Sequence, residues 1–124
     1  ETNGTFKPSK SLDELINQYN VSLKLSNSGD SERLRLKKGS ISFFAENKKS
    51  NFKFVMESEQ DLKEIEAIIS SYKIAEHKVL LMPQARTQAE LRDRQAEVIE
   101  VCKNRGYSFS DRLHIRIYGD KQGV

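Results

Sequence analysis

The sequence predicts an α/β fold in which parallel strands alternate with helices. Three observations carry this reading. Short apolar or alternating segments recur between stretches of helical periodicity, in the order helix then strand, from Ser9 to Gly119. The two longest helical stretches open on a Ser or Thr capping box, and the longest closes on Gly106. No repeat, low-complexity tract or linker divides the 124 residues, which suffice for one modest domain with a core. Strands joined through helices pair in parallel by right-handed crossovers, giving either an α/β sheet or part of a β/α barrel.

The elements follow in order. "ETNGT" (Glu1 to Thr5) reads as a turn after a strand that would precede residue 1. Ser9 to Gln18 is a short helix, with Ser11 as N-cap, Asp13 and Glu14 in the first turn, and Leu12, Leu15 and Ile16 on one face. Asn20 to Ser26 alternates Val21, Leu23 and Leu25 with Ser22, Lys24 and Ser26, which predicts a strand with one polar face. "NSGDSE" is a loop turning on Gly29 and Asp30. "LRLKKG" fits strand or helix, and "SISFFAEN" a short helix with Ile41, Phe44 and Ala45 inward. Asn51 to Met56 is a strand by its aromatic and β-branched content.

Ser58 to Tyr72 is a helix capped by Ser58, with Asp61 at the capping-box position and Leu62, Ile65, Ile68 and Ile69 as its buried stripe. Lys78 to Pro83 is an apolar strand stopped by proline. Thr87 to Gly106 is the longest helix, boxed by Thr87 and Glu90, with Leu91, Val98, Val101 and Cys102 inward. Arg112 to Gly119 alternates Leu113, Ile115 and Ile117 and predicts a final strand. Two of the strands are apolar enough for burial on both faces.

Composition narrows the function classes. No apolar run approaches the roughly 20 residues of a membrane span, so no membrane partner is expected. The net charge of +3 is spread among interleaved acids and bases, which argues against a nucleic-acid partner. The single Cys102 excludes an internal disulfide or a multi-cysteine metal site, and fits a reducing, cytoplasmic setting.

In parallel α/β folds the working face lies at the C-terminal ends of the strands. There the sequence collects Ser22, Lys24, Ser26, Asn27, Gln84, Arg86, Asp120, Lys121 and the terminal carboxylate at Val124. Neutral hydrogen-bonding groups with a few charges suit a polar organic ligand bearing amide, ribose or carboxylate groups. No nucleophile elbow or phosphate loop is present. Structural readings stand beside this one. Glu1 fits an ordinary chain-end acid, and Ser22 and Lys24 fit the wet face of an edge strand. His114 fits a hydrogen-bonded structural histidine, His77 a solvent-facing one, and Cys102 a packed core thiol.

"ETNGT", "SLKLSNSG", "FKFVM", "VLLMPQARTQAEL" and "RLHIRIYGDKQGV" resemble, in that order, the C-terminal half of the 7-carboxy-7-deazaguanine synthase family of radical S-adenosylmethionine (SAM) enzymes. The resemblance covers nearly the whole chain. It implies that residues 1–124 are the C-terminal portion of a radical SAM core domain, a partial β/α barrel. The implied reaction converts 6-carboxy-5,6,7,8-tetrahydropterin to 7-carboxy-7-deazaguanine with loss of ammonia, a carbon–nitrogen lyase step of queuosine-type 7-deazapurine biosynthesis. The implied cofactors are SAM, a 4Fe–4S iron–sulfur cluster and magnesium, and the implied assembly is a homodimer of the full-length form.

Roles carry over by position. Ser22-Leu23-Lys24 matches the family's SAM-contacting Ser-Pro-Lys, with leucine replacing proline. Met82, Pro83, Gln84 and Ala85 match the segment that reaches SAM after the next apolar strand, and Glu1 the strand-end acid near its ribose. Val124 would bind substrate through its carboxylate, and Gly123 would let the tail fold over the site. The chain has no three-cysteine motif and no Gly-rich segment for the methionine part of SAM. The expectation is therefore a chain that supplies SAM and substrate contacts, without cluster ligands, and is inactive alone. Two other readings are a non-catalytic α/β binding module and a related radical SAM enzyme with another substrate.

Overall fold

The computed structural model describes residues 1–123. Its strands are β1 (Tyr19–Val21), β2 (Ser50–Met56), β3 (Val79–Pro83) and β4 (Ser108–Phe109). Its helices are α1 (Lys10–Leu15), α2 (Glu32–Arg35), α3 (Lys38–Glu46), α4 (Glu59–Tyr72), α5 (Gln88–Arg105) and α6 (Leu113–Tyr118). The strands form one parallel sheet in the order β1-β2-β3-β4. Each connection therefore steps the same way across the sheet. Right-handed crossovers that all step one way leave their helices on one face, as in a section of a β/α barrel.

Burial follows that geometry. Val21, Phe52 and Val79 lie side by side in register, each fully buried, and Phe54 pairs with Leu81 in the next buried row. These rows pack with Ile41 and Phe44 of α3, Ile65 and Ile68 of α4, and Val98 and Cys102 of α5. Val55, Leu80 and Met82, pointing the other way, are only half-buried. The expectation of strands buried on both faces is corrected accordingly. With α3, α4 and α5 packed on one side, the opposite face is the less buried of the two.

The capping signals that located α4 and α5 are realised. Ser58 and Asp61 exchange capping-box hydrogen bonds, as do Thr87 and Glu90. Gly106 closes α5 in the left-handed conformation (φ 71°). α1 is shorter than expected and its N-cap is Ser9, which accepts from the Leu12 N–H. Its presumed inner face is largely open: Leu15 is 80% exposed and Leu12 48%. β1 ends at Val21, although the alternation continues beyond it, with Leu23 and Leu25 buried in extended chain.

The largest correction concerns the last strand. The chain pairs with β3 directly after the Gly106 cap, through Ser108 and Phe109. Leu113–Tyr118 then forms α6 instead, with Arg112 and Gly119 as its caps. The alternating Leu113, Ile115 and Ile117 do not share a face there. A helix sets residues 113 and 117 together and residue 115 nearly opposite. Only Ile115 is buried, against Ala85 and Leu91, while Leu113 and Ile117 are 62% and 55% exposed. His114 is accordingly an exposed helix residue, not a strand residue.

The opening segment is a corner beside the sheet. Thr2 bridges in parallel to Val21, its N–H reaching the Asn20 carbonyl at 3.0 Å and its carbonyl accepting from Ser22 at 2.7 Å. Gly4 then turns the chain with φ 75°.

Candidate ligand-binding site

The C-terminal ends of the four strands surround a cavity of about 440 Å³. The segment leaving β1 supplies Ser22, Leu23, Lys24, Leu25, Asn27 and Ser28. β2 and its end supply Val55 and Glu57, β3 leads into Gln84 and Arg86, and the loop after β4 supplies Arg112. A second cavity of about 730 Å³ adjoins it through the shared Arg86 and Arg112, and is lined further by Ala85, His114, Ile115 and residues 119–123.

Proline at the end of β3 stops the strand, and Gln84 continues into the site while its N–H still bonds the Met56 carbonyl at 2.8 Å. Arg94 of α5 donates to the Gln84 carbonyl at 2.7 Å and pairs with Glu57 at 3.3 Å. Arg112 Nη1 donates to Gln84 Oε1 at 2.7 Å. Burial pulls the Arg112 pKa below the usual arginine value, yet a guanidinium keeps its charge in proteins. Its Nε is buried without a partner. In the main cavity, Lys24, Arg86 and Arg112 face a single acid, Glu57, already engaged by Arg94. The site therefore favours a ligand with an anionic group and several hydrogen-bonding atoms.

The sequence-derived residues divide clearly. Ser22, Leu23, Lys24 and Gln84 line the main cavity together. Ala85 is buried at the wall of the second cavity. Pro83 is fully buried on the helix-covered face, and Met82 is half-buried on the open face; neither lines these cavities. Glu1 is paired with Lys53 at 2.9 Å, and that hydrogen bond holds its carboxyl below the usual glutamate range. It borders a shallow recess with Thr2, Asn3, Ser22 and Lys24, on the outer side of the β1 end. Val124 lies outside the described residues. Asp120 and Lys121 line the second cavity.

Glu57 and Arg112 are site residues that sequence reasoning missed. Glu57 had a signal, since it directly follows the β2 strand. Arg112 had none while its segment read as a strand.

Among the described residues no group of three or more His, Cys, Asp or Glu side chains is placed to hold a metal ion. Cys102 is buried beneath the sheet, its thiol donating to the Ser108 carbonyl at 3.4 Å, and burial raises its pKa. No described helix is long and apolar enough to cross a membrane.

Comparison with curated proteins yields relatives that share one name. The chain is similar to the 7-carboxy-7-deazaguanine synthase of Pyrobaculum aerophilum, at 32% identity over 123 residues, covering 99% of this chain and 53% of that protein. It is similar to the synthase of Halobacterium salinarum at 30% identity, covering 97% of this chain and 53% of that protein. With the synthase of Rhodopirellula baltica it shares 33% identity over 72 residues. The chain thus spans about half the length of the first two relatives. No family model matches it, and no solved structure matches it.

Proposed function

We propose that this chain is the C-terminal half of a radical SAM enzyme of the 7-carboxy-7-deazaguanine synthase type, and that it contributes SAM and substrate contacts. The observation that carries this reading is the meeting of Ser22, Lys24 and Gln84 in one cavity at the strand ends. The similarity of nearly the whole chain to proteins of that name, each about twice as long, supports it.

The donor set of the cavity fits SAM. The Lys24 ammonium suits the methionyl carboxylate, the Ser22 hydroxyl and Asn27 amide suit its polar edges, and Gln84 supplies an amide for ribose or adenine. Glu1, a carboxylate held below the usual glutamate range by its hydrogen bond from Lys53, is an acceptor for ribose hydroxyls at the outer rim. Met82, Pro83 and Ala85 shape the β3 end, with Pro83 and Ala85 acting through backbone. When bound, SAM supplies the 5′-deoxyadenosyl group that such enzymes use to take a hydrogen from substrate. Among the described residues no group of three or more His, Cys, Asp or Glu side chains is gathered as a metal site, and no cluster or magnesium ligand is assigned to a residue of this chain.

The second cavity, with Arg86, Arg112, His114 and Lys121, suits the carboxylate of 6-carboxy-5,6,7,8-tetrahydropterin. The full-length form is read as a cytoplasmic homodimer. Full-length enzyme given the carboxytetrahydropterin, SAM and reductant under anaerobic conditions is expected to release 7-carboxy-7-deazaguanine and ammonia. A different product would remove the substrate assignment. Reductive SAM cleavage by residues 1–124 alone would remove the reading of this chain as a partial enzyme.

A further inference from the structure

Two acids one turn apart on α4 grip the segment that leaves β1 for the main cavity. Glu64 accepts the Ser26 N–H with both oxygens, at 3.1 and 3.0 Å, and the Ser26 hydroxyl at 2.6 Å. Asp61, buried at the start of α4, accepts from the Asn27 side-chain amide at 3.1 Å. Its other oxygen accepts the N–H groups of Glu57 and Ser58 at 2.8 and 3.0 Å. One carboxylate thus ties the turn after β2 to the segment that leaves β1.

Arg35 closes the grip. It is only 7% exposed, on the short helix α2. Its Nη1 donates to Glu64 Oε1 at 2.7 Å and to the Lys24 carbonyl at 3.1 Å, and its Nε donates to the Asp30 carbonyl at 3.0 Å. Burying a guanidinium costs several kcal/mol unless its donors are satisfied, and well-packed apolar residues serve stability as well. Leu23 and Leu25, each 3% exposed, already anchor this segment by burial. The ionic grip adds something apolar packing does not: it fixes the backbone on both sides of Lys24, Ser26 and Asn27 in a defined geometry. Arg35 itself lines neither cavity.

We infer that Arg35, acting through Glu64 and the Lys24 carbonyl, is a positioning residue that holds the Ser22–Asn27 wall in its ligand-binding shape. This rests on the cavity being the SAM site proposed above. Asp61 is the second arm, locking Asn27 to the turn that carries Glu57.

The test uses the full-length protein with Arg35→Met, Arg35→Lys, Glu64→Gln and a comparator, Arg105→Met. Arg105 pairs with Glu66 at 2.6 Å, and neither residue lines the cavities. The probe is S-adenosyl-L-homocysteine, titrated at a temperature where circular dichroism shows each variant folded, and amide hydrogen exchange is followed in parallel. Arg35→Met is expected to weaken the probe about tenfold or more and to speed exchange at residues 24–30 selectively. Arg35→Lys keeps the charge without the planar fork and is expected to recover only part of the affinity. Arg105→Met is expected to change neither readout. Wild-type affinity in folded Arg35→Met, or faster exchange spread evenly over the sheet, would overturn the inference. If Arg35→Met does not fold, Glu64→Gln is judged by the same criteria. If the wild type does not bind the probe, the SAM reading falls, and exchange at residues 24–30 still decides the positioning role.

Discussion

Arg112 Nη1 donates to Gln84 Oε1 at 2.7 Å, joining the loop beyond β4 to the end of β3 where the two cavities meet. A guanidinium has donors only, so this contact fixes the Gln84 amide with its oxygen toward Arg112. The NH₂ group is left as the donor that Gln84 offers a ligand. The pair thus sets the hydrogen-bonding polarity of the β3 wall.

That polarity can be reversed without losing the pair. Gln84→Glu would strengthen the contact to Arg112 while removing both amide donors. The expected result is an unchanged or higher melting temperature with weaker binding of S-adenosyl-L-homocysteine, by about 1–2 kcal/mol. Calorimetric titration beside thermal melts checks it. Equal affinity in the variant would mean that Gln84 makes no donor contact with that ligand.

Where local signals were strong, the fold was legible in the sequence. The capping boxes at Ser58 and Thr87 and the cap at Gly106 set the helix limits, and the aromatic-rich Asn51 to Met56 stretch marked the central strand. Reading failed where tertiary pairing overrode pattern. A two-residue strand at Ser108 and Phe109 has too little periodicity to see, and its partner Leu81 selects it only once the sheet exists. Six residues with apolar positions two apart fit a strand and a short helix alike, so α6 was mistaken and Arg112 lost from the site. Lys24 and Gln84 line the cavity where the strand-end rule puts them, and that rule needs only strand order and direction. The α4 acids that support them act across 30 or more residues, which no local pattern records.

Gly4 offers a sharp stability test. Its φ of 75° is a left-handed conformation, and an added Cβ would lie 2.6 Å from Leu23 Cδ2 and 3.0 Å from Val21 Cγ1. Both neighbours are buried, so they cannot swing clear. Gly4→Ala is expected to destabilise by about 2–4 kcal/mol, combining backbone strain with overpacking. Urea denaturation measures it, and a loss below about 1 kcal/mol would show that the corner relaxes freely.

Lys78 closes the C-terminal end of α3 from a neighbouring element. Its ammonium donates to the carbonyls of Ala45 at 2.7 Å and Asn47 at 3.0 Å, and burial pulls its pKa down. A cation at that end also meets the negative pole of the helix. Lys78→Met keeps the apolar stem but withdraws the donors, and should cost about 1–3 kcal/mol. Amide exchange is expected to rise first at residues 43–47, and uniform protection across α3 would contradict the capping role.

The Glu64 carboxylate predicts a particular pH dependence. Burial is the largest single influence on it and pushes its pKa up. The Ser26 hydroxyl, the Ser26 N–H and Arg35 together outweigh burial and leave the pKa below the ordinary glutamate value of 4.5. A carboxylate with a depressed folded-state pKa contributes stability above its unfolded value, and that contribution disappears as pH falls through the folded value. The difference in unfolding free energy between wild type and Glu64→Gln should therefore be constant from neutral pH down to about 5, and shrink progressively below that. Because the grip sits on the Ser26 segment, loss of protection at residues 24–30 should precede global unfolding on acidification. Denaturant melts of the two proteins across this range, with exchange read at each pH, check both parts. A difference that grows toward low pH would mean that the Glu64 pKa is raised and that burial, not the Ser26 and Arg35 contacts, governs this carboxylate.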